Sequence, residues 1–252
     1  MKHKLFEDII KNKKLCSITT WLLKEIIAGL MVAAAVAGAT LLIDDYRINQ
    51  NEKAQLKSLH LGLSTQYIDS VFGIPMVQFY DASCSADISI YKQRNSVVWC
   101  AYVEDQAVAY VIIVKDRSNI YSVNAKRLKG AFLTKFSYAD FSAKSQNPQI
   151  NAAVNNDDYS YYSETYYGAG PADYNYYILG SYKSYFNKDD YNKLLLCCWS
   201  DTPDSEVEIL RRSITPNAFG MIKAGYEETI SLIPMGNDLR TYNDAIFGDW
   251  FD

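Results

Sequence analysis

The chain has 252 residues, 49% of them hydrophobic and 21% charged, which suits one folded domain with attachments better than two domains or a disordered chain. Its formal net charge of −4 provides no surplus of Lys or Arg to neutralise a phosphate backbone, so nucleic acid is excluded as the expected partner. Two features depart from average composition: 21 tyrosines, and an uncharged run near the N-terminus.

Residues 1–25 form a short arm containing LFEDIIKNKKL, readable as an amphipathic helix. Residues 26–43 then read IIAGLMVAAAVAGATLLI, with Thr40 the one polar side chain. As a helix these residues span roughly 27 Å, a little less than a hydrocarbon core of about 30 Å. Trp21 at the interface and a snorkelling Lys24 extend the apolar length. The expectation is therefore a transmembrane helix with the lipid bilayer as its partner. Lys2, Lys4, Lys11, Lys13, Lys14 and Lys24 precede it, against Arg47, Lys53 and Lys57 after it. That bias places the N-terminus in the cytoplasm and the main domain outside the plasma (inner) membrane, in the periplasm or beyond. The small residues of AVAGA (35–39) also allow a cleaved signal peptide, but the long segment ahead of the run favours an uncleaved signal anchor. Gly29, Ala33 and Ala37, with Ala34 and Gly38, form small-residue stripes that would let two such helices pack as a homodimer.

Residues 44–60 lack Gly and Pro and read either as a helical stalk or as a flexible linker. A domain is expected over residues 61–252. It opens on Leu61-Gly62-Leu63-Ser64, where Ser64 can cap a short helix whose Tyr67, Ile68, Val71 and Phe72 share one face. Gly73 and Pro75 end that helix. Strand-like runs follow at 88–92, 97–103 and 107–115, an antiparallel meander packed on the helix. The expected fold class is α+β: one N-terminal transmembrane helix, then a single domain of short helix plus antiparallel sheet.

Gly62, Ser64, Ile68, Phe72, Gly73 and Pro75, followed by the meander, carry a resemblance. Residues 61–115 resemble the small helix-plus-hairpin domain of SmpA/OmlA-type outer-membrane-assembly lipoproteins. The resemblance implies a fold for this subdomain. It does not extend to the assembly function, since the chain has a membrane helix where those proteins have a lipidated cysteine. The whole chain is also similar to bacterial membrane-anchored proteins, a likeness that supplies no mechanism.

In the remainder, 116–252, a further strand is expected at IYSVNA (120–125), a mixed segment at 130–141, and a loop at NPQINAAVNNDD (147–158). Two more strands are expected at LLLCCW (194–199) and EVEILRRSI (206–214). No internal repeat is visible. Eleven of the 21 tyrosines fall within residues 159–191. Tyrosine joins a rigid apolar face to a polar tip, so Tyr161, Tyr162, Tyr166, Tyr167, Tyr174, Tyr176 and Tyr177 are candidates for a surface that binds an envelope protein or glycan. The competing reading is that these rings roof the core.

Signatures of catalysis are missing. The domain's one histidine, His60, lies in the stalk, and no nucleophile-elbow, phosphate-loop or zinc-protease motif occurs. No cofactor or metal is expected, and no catalytic residue is assigned. Acidic pairs at Asp157-Asp158, Asp189-Asp190 and Glu227-Glu228, and the group Asp201, Asp204 and Glu206, read as solvated turns. An external domain permits disulfides, and a Cys84–Cys100 bridge would close a loop of about 15 residues, contributing about 3 kcal/mol. The adjacent Cys197 and Cys198 read as small buried hydrophobes. The favoured expectation is a non-enzymatic envelope binding or scaffolding module. A membrane-tethered ligand sensor and a carboxylate-dependent hydrolase are the alternatives.

Overall fold

The computed structural model describes residues 2–82, 84–114, 121–123, 131–142, 149–155, 159–167, 175–182, 193 and 204–226, with residues 2–23, 142, 149–155, 159–161, 182 and 204 described by backbone alone. The chain divides into two compact units, Met1–Gln50 and Asn51–Asp252.

The first unit is one continuous helix, the larger part of α1 (Lys2–Ser58). Ile26, Leu30, Met31, Val32, Leu41 and Leu42 are all exposed along it. In water such a surface would be unfavourable, at about 25 cal/mol for each Å² of apolar area left wet. Among the described residues, α1 is the helix that from Lys24 onward is long and apolar enough, by length and composition, to cross a membrane. A membrane anchor and a signal sequence both meet that description.

Residues 44–58, expected as stalk or linker, are helical throughout. The second unit takes in the last two turns of that helix. Leu56 is fully buried there, Leu59 follows it into the core, and Glu52 is buried as well. Burial of Glu52 is offset by three donors: the Asn95 backbone N–H at 3.1 Å, Asn95 Nδ2 at 3.0 Å and Ser96 Oγ at 2.6 Å.

The second unit is α+β. Its order is α2 (Thr65–Phe72), β1 (Val77–Asp81), β2 (Ala86–Lys92), β3 (Ser96–Val103), β4 (Gln106–Val114), α3 (Tyr138–Ser142), β5 (Gln149–Asn155), β6 (Tyr159–Tyr167), β7 (Tyr176–Tyr182), α4 (Asp204–Ser213) and β8 (Ala218–Ile222). Ser64 caps α2 by accepting from the Tyr67 N–H at 3.2 Å, and Gly73 closes it at φ 87° with its N–H donated to the Asp69 carbonyl. Ile68 and Phe72 form the buried face; Tyr67, expected beside them, is exposed. The segment before α2 is fastened to β4: Gly62 N–H donates to the Ala107 carbonyl, and Ala107 N–H to that of Leu63, both at 2.8 Å. Glu104 and Asp105 (φ 51° and 62°) make the two-residue turn between β3 and β4, and the Asp105 carbonyl takes the Thr65 N–H at the start of α2.

Among the described residues, eight strands join one antiparallel sheet in the order β1-β2-β3-β4-β8-β7-β6-β5. The order is symmetric. Two four-stranded meanders, β1–β4 and β5–β8, meet along their last strands, so the topology repeats although the sequence shows no repeat. One face carries α2, α3, α4 and the end of α1, with Leu56, Ile68, Phe72, Tyr138, Phe141 and Leu210 among the side chains they bury against it. On the other face Ile88, Trp99, Val111, Ile113, Ile178 and Ile222 form a second apolar cluster. Because both faces are covered, β3 and β4 read as continuous apolar runs instead of alternating ones.

Several expectations are corrected. Residues 149–155, read as a loop from their Asn and Pro content, form edge strand β5. Residues 206–214, read as a strand from their Val and Ile content, lie mostly in α4. Val207, Leu210 and Ile214 recur at helical spacing and face the core, whereas Ile209 points to solvent. In the expected strand at 120–125 the described residues show one isolated bridge, Ser122 to Phe132. The expected strand at 194–199, with Cys197 and Cys198, lies outside the described residues.

Candidate functional site

The tyrosine-rich segment supplies β6 and β7, and strand geometry sorts its side chains between the faces. Tyr162 and Tyr166 on β6, and Tyr177 on β7, point into the helix-covered core and are buried. This corrects the expectation that they belong to a binding surface; these three roof the core. Tyr138 of α3 meets Tyr162 edge-on at 5.1 Å and hydrogen-bonds Ser181 Oγ at 2.6 Å, while Phe141 packs on Tyr166 at 4.4 Å. Tyr167 and Tyr176 point to the opposite face as a cross-strand pair with rings 4.9 Å apart, Tyr167 being 44% exposed and Tyr176 half-buried. Tyr161 is described by backbone alone, and Tyr174 lies outside the described residues.

Between Tyr162 and Tyr166 the same face of β6 carries Glu164, whose carboxylate is wholly buried. Arg211 of α4 grips it with two bonds, Nε to Oε1 and Nη2 to Oε2, each 2.6 Å. The hydroxyl of Tyr162 donates to Oε1 and that of Tyr166 to Oε2. Each carboxylate oxygen therefore has two donors. Arg211 Nη2 also reaches the Tyr166 hydroxyl at 3.0 Å, and Nη1 extends outward to Glu208 at 2.8 Å. Burial acts to lower the Arg211 pKa, but the hydrogen bonds and charge of Glu164 outweigh it and leave the guanidinium held more firmly protonated than usual. Burial, aided by the Glu164 charge, likewise keeps the Tyr166 phenol protonated. With every lone pair occupied, this carboxylate is a structural clamp between β6 and α4, with no proton acceptor to spare. Sequence reading missed both residues. The alternation Tyr162-x-Glu164-x-Tyr166 was the available signal: it puts an acid among rings on one face of a strand.

A second polar cluster joins α2 to the first meander. Tyr91 donates to Asp69 Oδ1 at 2.8 Å and lies 3.0 Å from the Tyr102 hydroxyl. Burial raises both phenols and pushes the neighbouring Cys100 thiol from 9.0 up to about 12. Cys100 belongs to the cluster on this face and Cys84 packs against the cluster on the other, so the sheet lies between them and the expected disulfide is not formed. Lys24 is exposed on α1, and Trp21 is described by backbone alone. His60 is exposed, with Nδ1 3.0 Å from the Leu61 carbonyl oxygen. Asp157, Asp158, Asp189, Asp190, Asp201, Glu227 and Glu228 lie outside the described residues, and Asp204 and Glu206 open α4. Among the described residues, no three His, Cys, Asp or Glu side chains are grouped to hold a metal ion.

No protein-family model matches the chain, and no curated protein matches it. Among solved structures it is similar to an extracellular protein containing an SCP domain from Bacillus anthracis, at 11% identity and a TM-score of 0.37 over 68% of this chain and 45% of that one. It is also similar to a cysteine-rich secretory protein from Staphylococcus aureus, at 11% identity and a TM-score of 0.36 over 70% of this chain and 48% of that one. The chain thus matches less than half the length of either protein. At TM-scores this low, neither likeness bears on fold or activity.

Proposed function

We propose that this chain is a single-pass membrane protein whose external α+β domain is a non-enzymatic binding module for an envelope protein or glycan. The observation that carries the reading is α1: an apolar segment of membrane-crossing length continues as helix straight into a folded domain. The lysine bias of its flanks supports a cytoplasmic N-terminus. The Glu164–Arg211 cluster supports a binding role over catalysis, because its carboxylate and the phenols around it are spent on one another. Of the tyrosine surface first envisaged, the Tyr167–Tyr176 pair is the part whose described side chains reach solvent, and it suits stacking against a sugar ring or an apolar side chain. The capped α2 leading into the β1–β4 meander also supports grouping residues 61–115 with the SmpA/OmlA helix-plus-hairpin design, as a matter of fold alone.

The test has two parts. Retention of the full-length mass in carbonate-washed membranes, with the domain open to protease from the outer side, is expected; release of a shortened chain overturns the anchor. Copurification from mild detergent should then yield a partner that is lost with Tyr167→Ser and Tyr176→Ser together while the thermal midpoint holds. Unchanged capture by that variant removes this surface.

A further inference from the structure

The chain enters the folded domain at one recognisable end. Glu52 is fastened to Asn95 and Ser96 at the β2–β3 turn. Gln55 donates to the Val71 carbonyl at 2.6 Å, and Gln93 of the same turn donates to that of Phe72 at 2.9 Å, both in the last turn of α2. Directly after α2, Gly73 turns the chain at φ 87°, and the Met76 N–H rejoins the sheet on the Ile90 carbonyl at 2.8 Å. The tip thus made, Gly73-Ile74-Pro75-Met76, is apolar and lies at the end where α1 arrives. Ile74 is 94% exposed and Met76 42%. An isoleucine left almost wholly in water forgoes the favourable transfer that burial would return.

Chain length says what can cover it. Between Ile43, the last residue of the apolar run, and Glu52 lie eight residues, all helical. At 1.5 Å per residue the step from Ile43 to Glu52 is about 14 Å. A polar headgroup layer occupies about 5–7 Å of that distance. The chain therefore tethers the entry end of the domain within about 7–9 Å of the headgroups.

We propose that the tip at residues 74–76 docks into the interfacial layer of the same bilayer that holds α1, making the domain's entry end a lipid-contacting surface. The proposal rests on the anchor reading above, and the experiment separates the two. Full-length protein is reconstituted in phosphatidylcholine–phosphatidylglycerol vesicles, with and without lipids brominated near the headgroup. Ile74→Trp is compared with wild type and with Gln106→Trp. Gln106 is exposed just past the far end of β3, eight residues or roughly 25 Å along the strand from the entry end. Because Ile74 contacts little, the substitution should leave the thermal midpoint unchanged. The emission gained at position 74 should be blue-shifted and mostly quenched by brominated lipid, and that gained at position 106 should not. Equal insensitivity at both positions in protein that floats with the vesicles overturns the docking and leaves the anchor standing. Failure to float after a carbonate wash overturns the anchor and the docking together.

Discussion

Replacing Arg211 with methionine would leave the Glu164 carboxylate buried with two phenol donors and no cation. Breaking a buried pair from one side costs about 3–5 kcal/mol. The change should appear as a lower urea midpoint at unchanged slope. Removing both charges at once, with Glu164→Leu and Arg211→Met, should recover most of the loss, because no uncompensated charge then remains. A double variant as unstable as the single would show that the pair contributes more than mutual neutralisation. Cys100 gives a prediction in pH. Its thiol ionises near 9 when exposed but is held to about 12 in the fold, so the folded state keeps a proton that the unfolded state loses. Stability is full below pH 9 and falls by about 1.4 kcal/mol per unit as pH rises from there toward 12. The buried phenols of Tyr91 and Tyr102 add to the loss in the same direction. Denaturation midpoints measured from pH 8 to 11 should fall more gently in Cys100→Ala than in the parent chain. These two residues are unequally legible: Cys100 sits in an apolar run that announces burial, but Arg211 sits in a segment whose β-branched content reads as a strand, which hides its partner.

At the level of elements, β8 depends on a residue without a side chain. A Cβ on Gly220 would meet the Tyr110 carbonyl oxygen at 2.7 Å and Val111 Cγ2 at 2.8 Å. Gly220→Ala must push β8 away from β4, its partner at that point, and overpacking of this kind costs about 1–3 kcal/mol. A lowered thermal midpoint with a retained β-sheet signal in circular dichroism is expected; no shift would mean that the sheet yields there freely. The first meander was readable because its signals agree. Ser64, Gly73 and Pro75 bracket α2, and β2 to β4 are apolar runs cut by polar turns. The second half was harder because local and tertiary preferences conflict. Alternating Ile150, Ala152 and Val154 sit among asparagines, and β5 exists because β6 pairs with it. In α4, β-branched content suggested a strand while the spacing of Val207, Leu210 and Ile214 already favoured a helix. The candidate site followed the same division. The tyrosines of β6 and β7 stand out in the sequence, but which of them face the core depends on the register of Tyr166 on Tyr177 and Tyr167 on Tyr176.

Across the molecule, the seam of the sheet joins strands far apart in sequence. β4 ends at Val114 and its outer partner β8 begins at Ala218, so the central hydrogen-bonded row closes last. Pairing over such a separation is slow, because loop closure must precede the contacts that reward it. During synthesis the first meander can assemble on α1 and α2 while the edge of β4 waits, apolar on both faces, for a strand still to be made. A chain stopped after residue 203 would lack α4 and β8 permanently. It should accumulate as aggregate or be degraded, whereas a chain retaining residues through 226 keeps all eight described strands; comparing the soluble yields of the two checks this. Biogenesis of the domain is in this sense all or nothing, committed only when the strand at Ile222 has been delivered.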